Sequence, residues 1–244
     1  MSDFLEMGAE EIKVLKTGND ELDRKIGGFP LPTLALIEGD NGAGKSVLVQ
    51  QIVYGALANA LSVLYITTEN TPKSLVLQMT SLFSEQIEDF YLNGKLDVFT
   101  IHVRGVDWND WTSRYYLEVL YNYIENDEKR SIFIVDSLTY LLTYAAEVDV
   151  LNFFSACRNL VDSSYKSLFL TLHRYALSNE LLMRIRSICD AHIRLEIKEM
   201  GSKTLRTLTV SKLKGADKST GLILSFDVEP GIGIKVLPFS RAKA

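Results

Sequence analysis

Gly39-Asp40-Asn41-Gly42-Ala43-Gly44-Lys45-Ser46 is the stretch on which the reading of this chain turns. It has the spacing G-x-x-x-x-G-K-[ST], and its flanks match it. Before it lies a short apolar run, Leu34 to Ile37, that predicts a buried strand. After it, Val47, Leu48, Gln51, Ile52, Tyr54 and Leu57 predict one broad helix face reaching about Ala60. Glycines let the backbone curl so that successive N–H groups point inward, Lys45 adds an ammonium, and the helix end contributes its positive dipole. Such a turn is shaped for a polyphosphate. The expected nucleotide-binding residues are Gly39, Asp40, Asn41, Gly42, Ala43, Gly44, Lys45, Ser46 and Val47, with ATP and Mg2+ as the ligands. Lys45 is expected on the β and γ phosphates and Ser46 on the magnesium ion.

Working outward, strand and helix patterns alternate. Ser62 to Thr67, Leu96 to Val103, Ser131 to Asp136 and Ser167 to Leu172 predict strands, while helices are expected from Pro72, over Trp111 to Ile124, Val148 to Val161 and Asn179 to Ile188. From Ala191 the period changes to two, with Leu205 to Leu213, Gly221 to Val228 and Ile232 to Leu237 following as strands. The expected fold class is therefore α/β: a mostly parallel central sheet with helices on both faces and an antiparallel extension at the carboxyl end. At 244 residues one domain is expected, residues 17–244, preceded by an extension of residues 1–16.

Three further sets of residues bear on chemistry. The apolar strand Ile132-Phe133-Ile134-Val135 ends in Asp136, expected to reach the magnesium shell from the strand beside the phosphate loop. Glu69, in Thr67-Thr68-Glu69-Asn70, closes another strand and could orient or deprotonate an attacking water. Lys212 and Lys214 are separated by one residue on a predicted strand, which points both cations to one face; a phosphate across a subunit boundary and a solvated edge are the two readings. The three histidines, His102, His173 and His192, are scattered and read as strand-end polar groups, and Cys157 with Cys189 match no metal or redox spacing. Trp108 and Trp111 sit among Asp107 and Asp110, where an aromatic contact surface and a simple helix anchor are both open.

Composition narrows the function classes. With 26 Lys and Arg against 31 Asp and Glu the chain has a net charge of -5, which supplies no bulk attraction for nucleic acid. The segment Met1 to Glu11 lacks the basic start and apolar stretch of a signal peptide, and no run approaches the roughly 20 apolar residues of a membrane span. Direct membrane insertion is not expected.

Thr17-Gly18, Leu22-Asp23 and Gly27-Gly28 ahead of the phosphate loop resemble the leading signature of the RecA/RadA/KaiC superfamily, whose members sandwich ATP between subunits. The likeness is greatest to the KaiC-like ATP-binding proteins of the archaellum, or archaeal flagellum, motor. It runs through Ile66-Thr67-Thr68-Glu69, Asp136-Ser137-Leu138, Thr171-Leu172-His173 and the ending Ser225-Phe226-Asp227-Val228-Glu229-Pro230-Gly231-Ile232-Gly233-Ile234-Lys235. The resemblance implies a RecA-like core, Glu69 as the catalytic carboxylate and Lys212 with Lys214 as cations acting on a neighbour's site. It also implies a cytoplasmic homo-oligomer, a hexameric ring, that docks on the motor ATPase and a scaffold protein beneath the membrane platform. KaiC-type sites usually carry two adjacent acids where this chain has Glu69-Asn70, so weak or absent hydrolysis is expected of a nucleotide-gated regulator. An active ATPase and a recombinase-like DNA-binding module are the alternatives; against the second, His173 to Glu180 is short and holds a single arginine.

Overall fold

The computed structural model describes residues 14–200, 203–216 and 221–238. Most of the expected amino-terminal extension, residues 1–13, lies outside them.

Residues Val14–Leu15 (β1) and Phe29–Pro30 (β2) pair antiparallel around helix Asp20–Ile26 (α1). The leading signature has a structural cause here, because the Thr17 N–H and hydroxyl both donate to the Asp23 carboxylate, at 2.9 to 3.1 Å. Asn19 caps α1 at one end, and Gly27, with φ of 87°, closes it at the other.

The core alternates as expected: Leu34–Gly39 (β3), Lys45–Ala58 (α2), Val63–Thr67 (β4), Pro72–Leu82 (α3), Gln86–Leu92 (α4), Leu96–Thr100 (β5), Asp110–Glu125 (α5), Ile132–Asp136 (β6), Thr139–Thr143 (α6), Glu147–Ser163 (α7), Ser167–His173 (β7) and Asn179–Ile188 (α8). Ala191–Met200 (β8), Lys203–Leu213 (β9), Leu222–Glu229 (β10) and Gly233–Leu237 (β11) complete it. The nine-stranded sheet has the order β11-β10-β9-β8-β3-β7-β6-β4-β5. Pairing is parallel from β8 through to β5 and antiparallel among β8, β9, β10 and β11.

Alternation of side chains across the parallel strands explains why both faces are dry. Ala35, Ile37, Tyr65, Ile134 and Phe169 face α1, α2, α3 and α4, whereas Leu34, Leu36, Leu64, Ile66, Phe133, Val135 and Leu170 face α5, α6, α7 and α8. The Phe29 and Phe169 rings meet edge to face at 5.3 Å on the first side. All parallel strands therefore present their carboxyl ends to one rim, and the β3–α2 turn lies on it.

The strand order corrects one expectation. β6, which ends in Asp136, is not beside β3; β7 pairs with both and separates them. Residue pattern gives each strand but not its neighbour, since a crossover helix can carry the chain past a vacant position that a later strand fills.

Candidate functional site

The β3–α2 turn needs its glycines for two different reasons. Gly42 and Gly44 hold φ of +72° and +99°, where a side chain is strained, while a Cβ on Gly39 would come 2.4 Å from the Leu195 carbonyl oxygen. Gly44 is the N-cap of α2 and no side chain caps that end, so its first N–H groups remain for an anion. The Lys45 ammonium is buried beneath the turn, donating to the carbonyls of Gly39 at 3.3 Å and Asp40 at 2.9 Å. Desolvation lowers its pKa, and the charges of Asp136, Glu69 and Asp40 work against that shift.

Asp136 is held from both sides. Its strand lies between β7 and β4, and each neighbour supplies a hydroxyl: Thr171 donates to Oδ1 and Tyr65 to Oδ2, both at 2.7 Å. Burial and the adjacent Asp136 charge raise the Tyr65 pKa well above its usual value, so the phenol stays a donor. A carboxylate has about four acceptor positions, which leaves roughly two beyond these bonds. The loop after β4 is stitched to the same place, with the Thr68 N–H donating to the Asp136 carbonyl at 3.0 Å and the Ser137 N–H to the Thr68 hydroxyl at 3.2 Å. The Thr67 hydroxyl accepts the N–H groups of Glu69 and Asn70, at 3.2 and 3.1 Å, and so turns Glu69 into the cleft. There its pKa is raised, first by loss of water and then by Asp136, with Lys45 opposing.

These groups line one cleft of about 340 Å³, bounded by Asn41, Gly42, Gly44, Lys45, Ser46, Val47, Glu69 and Asp136. Residue-by-residue reading did not place His173, Arg206 and Val228 there, yet they close it. His173 ends β7 beside Gly39, its N–H donating to the Thr139 hydroxyl at 3.1 Å and its Nδ1 lying 2.9 Å from the same oxygen. Desolvation and Lys45 lower its pKa, favouring the neutral ring. With the Thr139 proton given to Nδ1, Nε2 keeps the ring's own N–H for a ligand. Arg206 of β9 donates to the Gly42 carbonyl at 3.2 Å, and Phe226 of β10 backs Gly44, so the antiparallel extension forms the far wall. The available signal for His173 was its position two residues after Thr171, on the same face of the strand.

The donor set fits magnesium held together with a triphosphate. Ser46 and Asp136 offer two oxygen ligands, and among the described residues no cluster of three or more His, Cys, Asp or Glu side chains forms a cage. Magnesium at phosphates is ordinarily held by one or two protein oxygens plus water and the phosphates themselves. The buried Ser137 hydroxyl, next to Asp136, lacks a hydrogen-bond partner and leaves a polar group for such a shell.

Lys212 and Lys214 lie elsewhere. Lys212 pairs with His192 toward the amino end of β3, away from the cleft, and its ammonium donates to the carbonyls of Arg186, Ser187 and Cys189, at 3.3, 3.1 and 2.5 Å. Lys214 falls past the end of β9, where its ammonium is 3.4 Å from Asp190. The expectation of one shared strand face is thus corrected: β9 ends at Leu213, and the register slips between His192 and Ile193, as a bulge does.

The family model "ATPase: KaiC" matches residues 15–241. The archaeal flagellar ATP-binding protein FlaH of Sulfolobus acidocaldarius is 34% identical over 231 residues, covering 95% of this chain and the whole of that protein. FlaH of Methanocaldococcus jannaschii is 30% identical over 234 residues, covering 94% of this chain and 97% of that protein. The crystal structure of flagellar accessory protein FlaH from Methanocaldococcus jannaschii superimposes with a TM-score of 0.76 at 28% identity, covering 93% of this chain and all of that one.

Proposed function

The chain belongs to the KaiC family of ATPases and, within it, to the FlaH proteins, and from that premise we propose that it is an ATP-binding regulatory component of the archaellum motor. Binding of ATP with magnesium favours a hexameric ring and creates the surface that docks on the motor ATPase and on the scaffold beneath the membrane platform. The protein works in the cytoplasm, at the membrane only through those partners; no described helix is long and apolar enough to cross a bilayer.

One observation carries this reading: phosphate loop, Lys45, Ser46, Asp136 and Glu69 converge on a single cleft at the carboxyl rim of the sheet. In it the turn's N–H groups and Lys45 would hold the phosphates, and Ser46 with Asp136 would hold the metal. Magnesium, when bound, neutralises charge on the β and γ oxygens. His173 faces the same cleft as a neutral donor, and Arg206 with Val228 forms the wall nearest the loop's opposite side. A ligand shifts an assembly only by its differential affinity for the two states, so ATP must bind the ring more tightly than the free subunit. The test is calorimetry with MgATP, paired with a mass measurement with and without nucleotide and a pull-down of the motor ATPase. Wild type should bind ATP and gain mass and partner affinity. Lys45→Ala should lose all three while staying folded by circular dichroism, and unchanged partner affinity in that variant would reject the coupling.

A second reading, active hydrolysis, draws support from Glu69, whose raised pKa and place opposite Lys45 suit a general base. Asn70 following it, in place of a second acid, favours the slow regulator.

A further inference from the structure

Helix α5 has two apolar faces, and the sheet uses only one. Ser113, Leu117, Leu120 and Ile124 are buried inward. On the outer side Trp111, Tyr115, Val119 and Tyr123 follow one another at four-residue spacing, 73%, 52%, 47% and 45% exposed. Trp111 stacks on Tyr115 at 5.7 Å, and Phe99 of the edge strand β5 meets Tyr123 at 5.2 Å, which extends the patch onto the sheet. The two readings of the tryptophans separate here. Trp108 is the anchor, donating Nε1 to the Val103 carbonyl at 3.0 Å and packing on Tyr116, whereas Trp111 stays at the surface. Single exposed apolar residues are ordinary; a contiguous aromatic strip has the composition of an interface core.

Charge around the strip selects its occupant. A groove of about 370 Å³ between α5 and α7 runs alongside, with Arg114, Glu118, Asn122, Asp149 and Asn152 in its lining. Arg114 is paired with Glu118 at 2.9 Å and also lies in the field of Asp149 and Asp110. Asp107 and Glu125 add further negative charge at the two ends of the helix, and beside Tyr123 the cations Lys129 and Arg130 stand among Asp97, Asp127 and Glu128, so the rim stays acidic on balance. The chain's own segments beyond the described residues do not suit the place. Residues 1–13 carry Asp3, Glu6, Glu10 and Glu11 against Lys13, the same sign as the patch. Residues 239–244 are basic, through Arg241 and Lys243, but follow β11 at the opposite edge of the nine-stranded sheet. A second copy related by a two-fold axis would bring the acidic rim against itself.

We propose that this face docks a partner protein through a basic amphipathic helix, whose apolar side covers Trp111, Tyr115, Val119 and Tyr123 and whose lysines or arginines meet Glu118 and Asp149. The groove shares no lining residue with the nucleotide cleft. Two fluorescein-labelled helical peptides roughly five turns long test it, both with one leucine face, one bearing lysines and the other glutamates on the polar face. Anisotropy titrations with nucleotide-free protein should show the lysine peptide binding at least about tenfold more tightly than the glutamate peptide, a gap that narrows with salt. Glu118→Lys with Asp149→Lys should weaken the lysine peptide by about tenfold or more, and Trp111→Ala with Tyr115→Ala should abolish binding, circular dichroism being unchanged in each. Equal binding of the two peptides, or no binding of the lysine peptide, overturns the proposal. So does a Trp111-dependent doubling of mass without peptide, which would assign the face to a second copy.

Discussion

Glu69 and Glu38 are glutamates near the same turn, and their surroundings drive them in opposite directions. Glu69 has a raised pKa, from loss of water in the cleft and from Asp136. Hydrolysis through Glu69 should therefore show an acidic limb above the ordinary glutamate value of 4.5. Glu69→Gln should keep MgATP affinity within about threefold while phosphate release falls by about a hundredfold or more, to background. Turnover equal to wild type in that variant would remove Glu69 from the chemistry. Glu38 is fully buried one residue before the loop; burial works to raise its pKa, but the His192 ring, its Nε2 3.1 Å from Oε1, and the hydrogen-bonded Arg186 outweigh it and leave it lowered. Arg186 grips both oxygens, at 2.6 and 2.8 Å. A depressed carboxylate contributes stability above its unfolded pKa and loses it as pH falls through the folded value. Urea midpoints should therefore drop below about pH 4.5 in wild type. Glu38→Gln, which leaves Arg186 without its counter-charge, should cost about 3–5 kcal/mol at neutral pH and flatten that dependence. At this scale the loop, Glu69 and Asp136 were legible because their spacing is local. Tyr65, Thr171, His173, Arg206 and Val228 were not, because only strand order and the carboxyl-terminal turn of the chain bring them to the cleft.

Helix α2 shows what an element costs to place. Gly55 lies in its interior, where alanine would favour the helix by about 1 kcal/mol in isolation. In the folded chain a Cβ at Gly55 would lie 2.0 Å from the Lys16 carbonyl oxygen and 2.5 Å from the Thr17 carbonyl carbon, both backbone atoms. Crowding against backbone cannot be relieved by a rotamer change, and overpacking of this kind costs about 1–3 kcal/mol or more. Gly55→Ala should therefore lower the unfolding free energy by at least about 1 kcal/mol despite its propensity gain. A chemical melt that showed stabilisation would mean that the Lys16–Thr17 segment does not pack on α2. Long periodic elements such as α5, α7 and α8 were readable, since each buries one face; α2, expected to show one broad apolar face, has ten of its fourteen residues buried, and it was the phosphate loop before it that marked it as a helix. α1 was hidden within a glycine-punctuated stretch whose capping pair, Asn19 and Gly27, was present but unread, and α6 is barely more than a turn, too short to display a period.

At the scale of the whole molecule, the sheet separates the two sets of residues that the superfamily resemblance brings to one phosphate. The phosphate loop lies at the carboxyl end of β3, whereas Lys212 is bonded to carbonyls at the end of α8 and Lys214 faces Asp190, whose carboxylate accepts the Leu34 N–H at the amino end of β3. No crossover brings Lys212 and Lys214 into the lining of the chain's own cleft, so any action on phosphate requires a neighbouring subunit. Sequence pattern gave the alternation of strands and helices and the antiparallel end, but strand order depends on which vacancy each crossover leaves, and that information is not local. The separation makes a complementation experiment decisive. Lys45→Ala supplies the lysines without binding nucleotide; a chain carrying Lys212→Ala and Lys214→Ala binds nucleotide without supplying them. Loss of the Lys212 contacts should cost about 1–2 kcal/mol, as hydrogen bonds from a charged group do, so its melting temperature must be checked first. If the lysines act across the boundary, neither variant gains mass with ATP alone, while an equimolar mixture gains it at least to the level of pairs, since every second contact of an alternating ring joins an intact phosphate loop to intact lysines. Assembly by the lysine-less chain alone, or none in the mixture, would leave Lys212 and Lys214 as fasteners of α8 and the β9 turn within their own subunit.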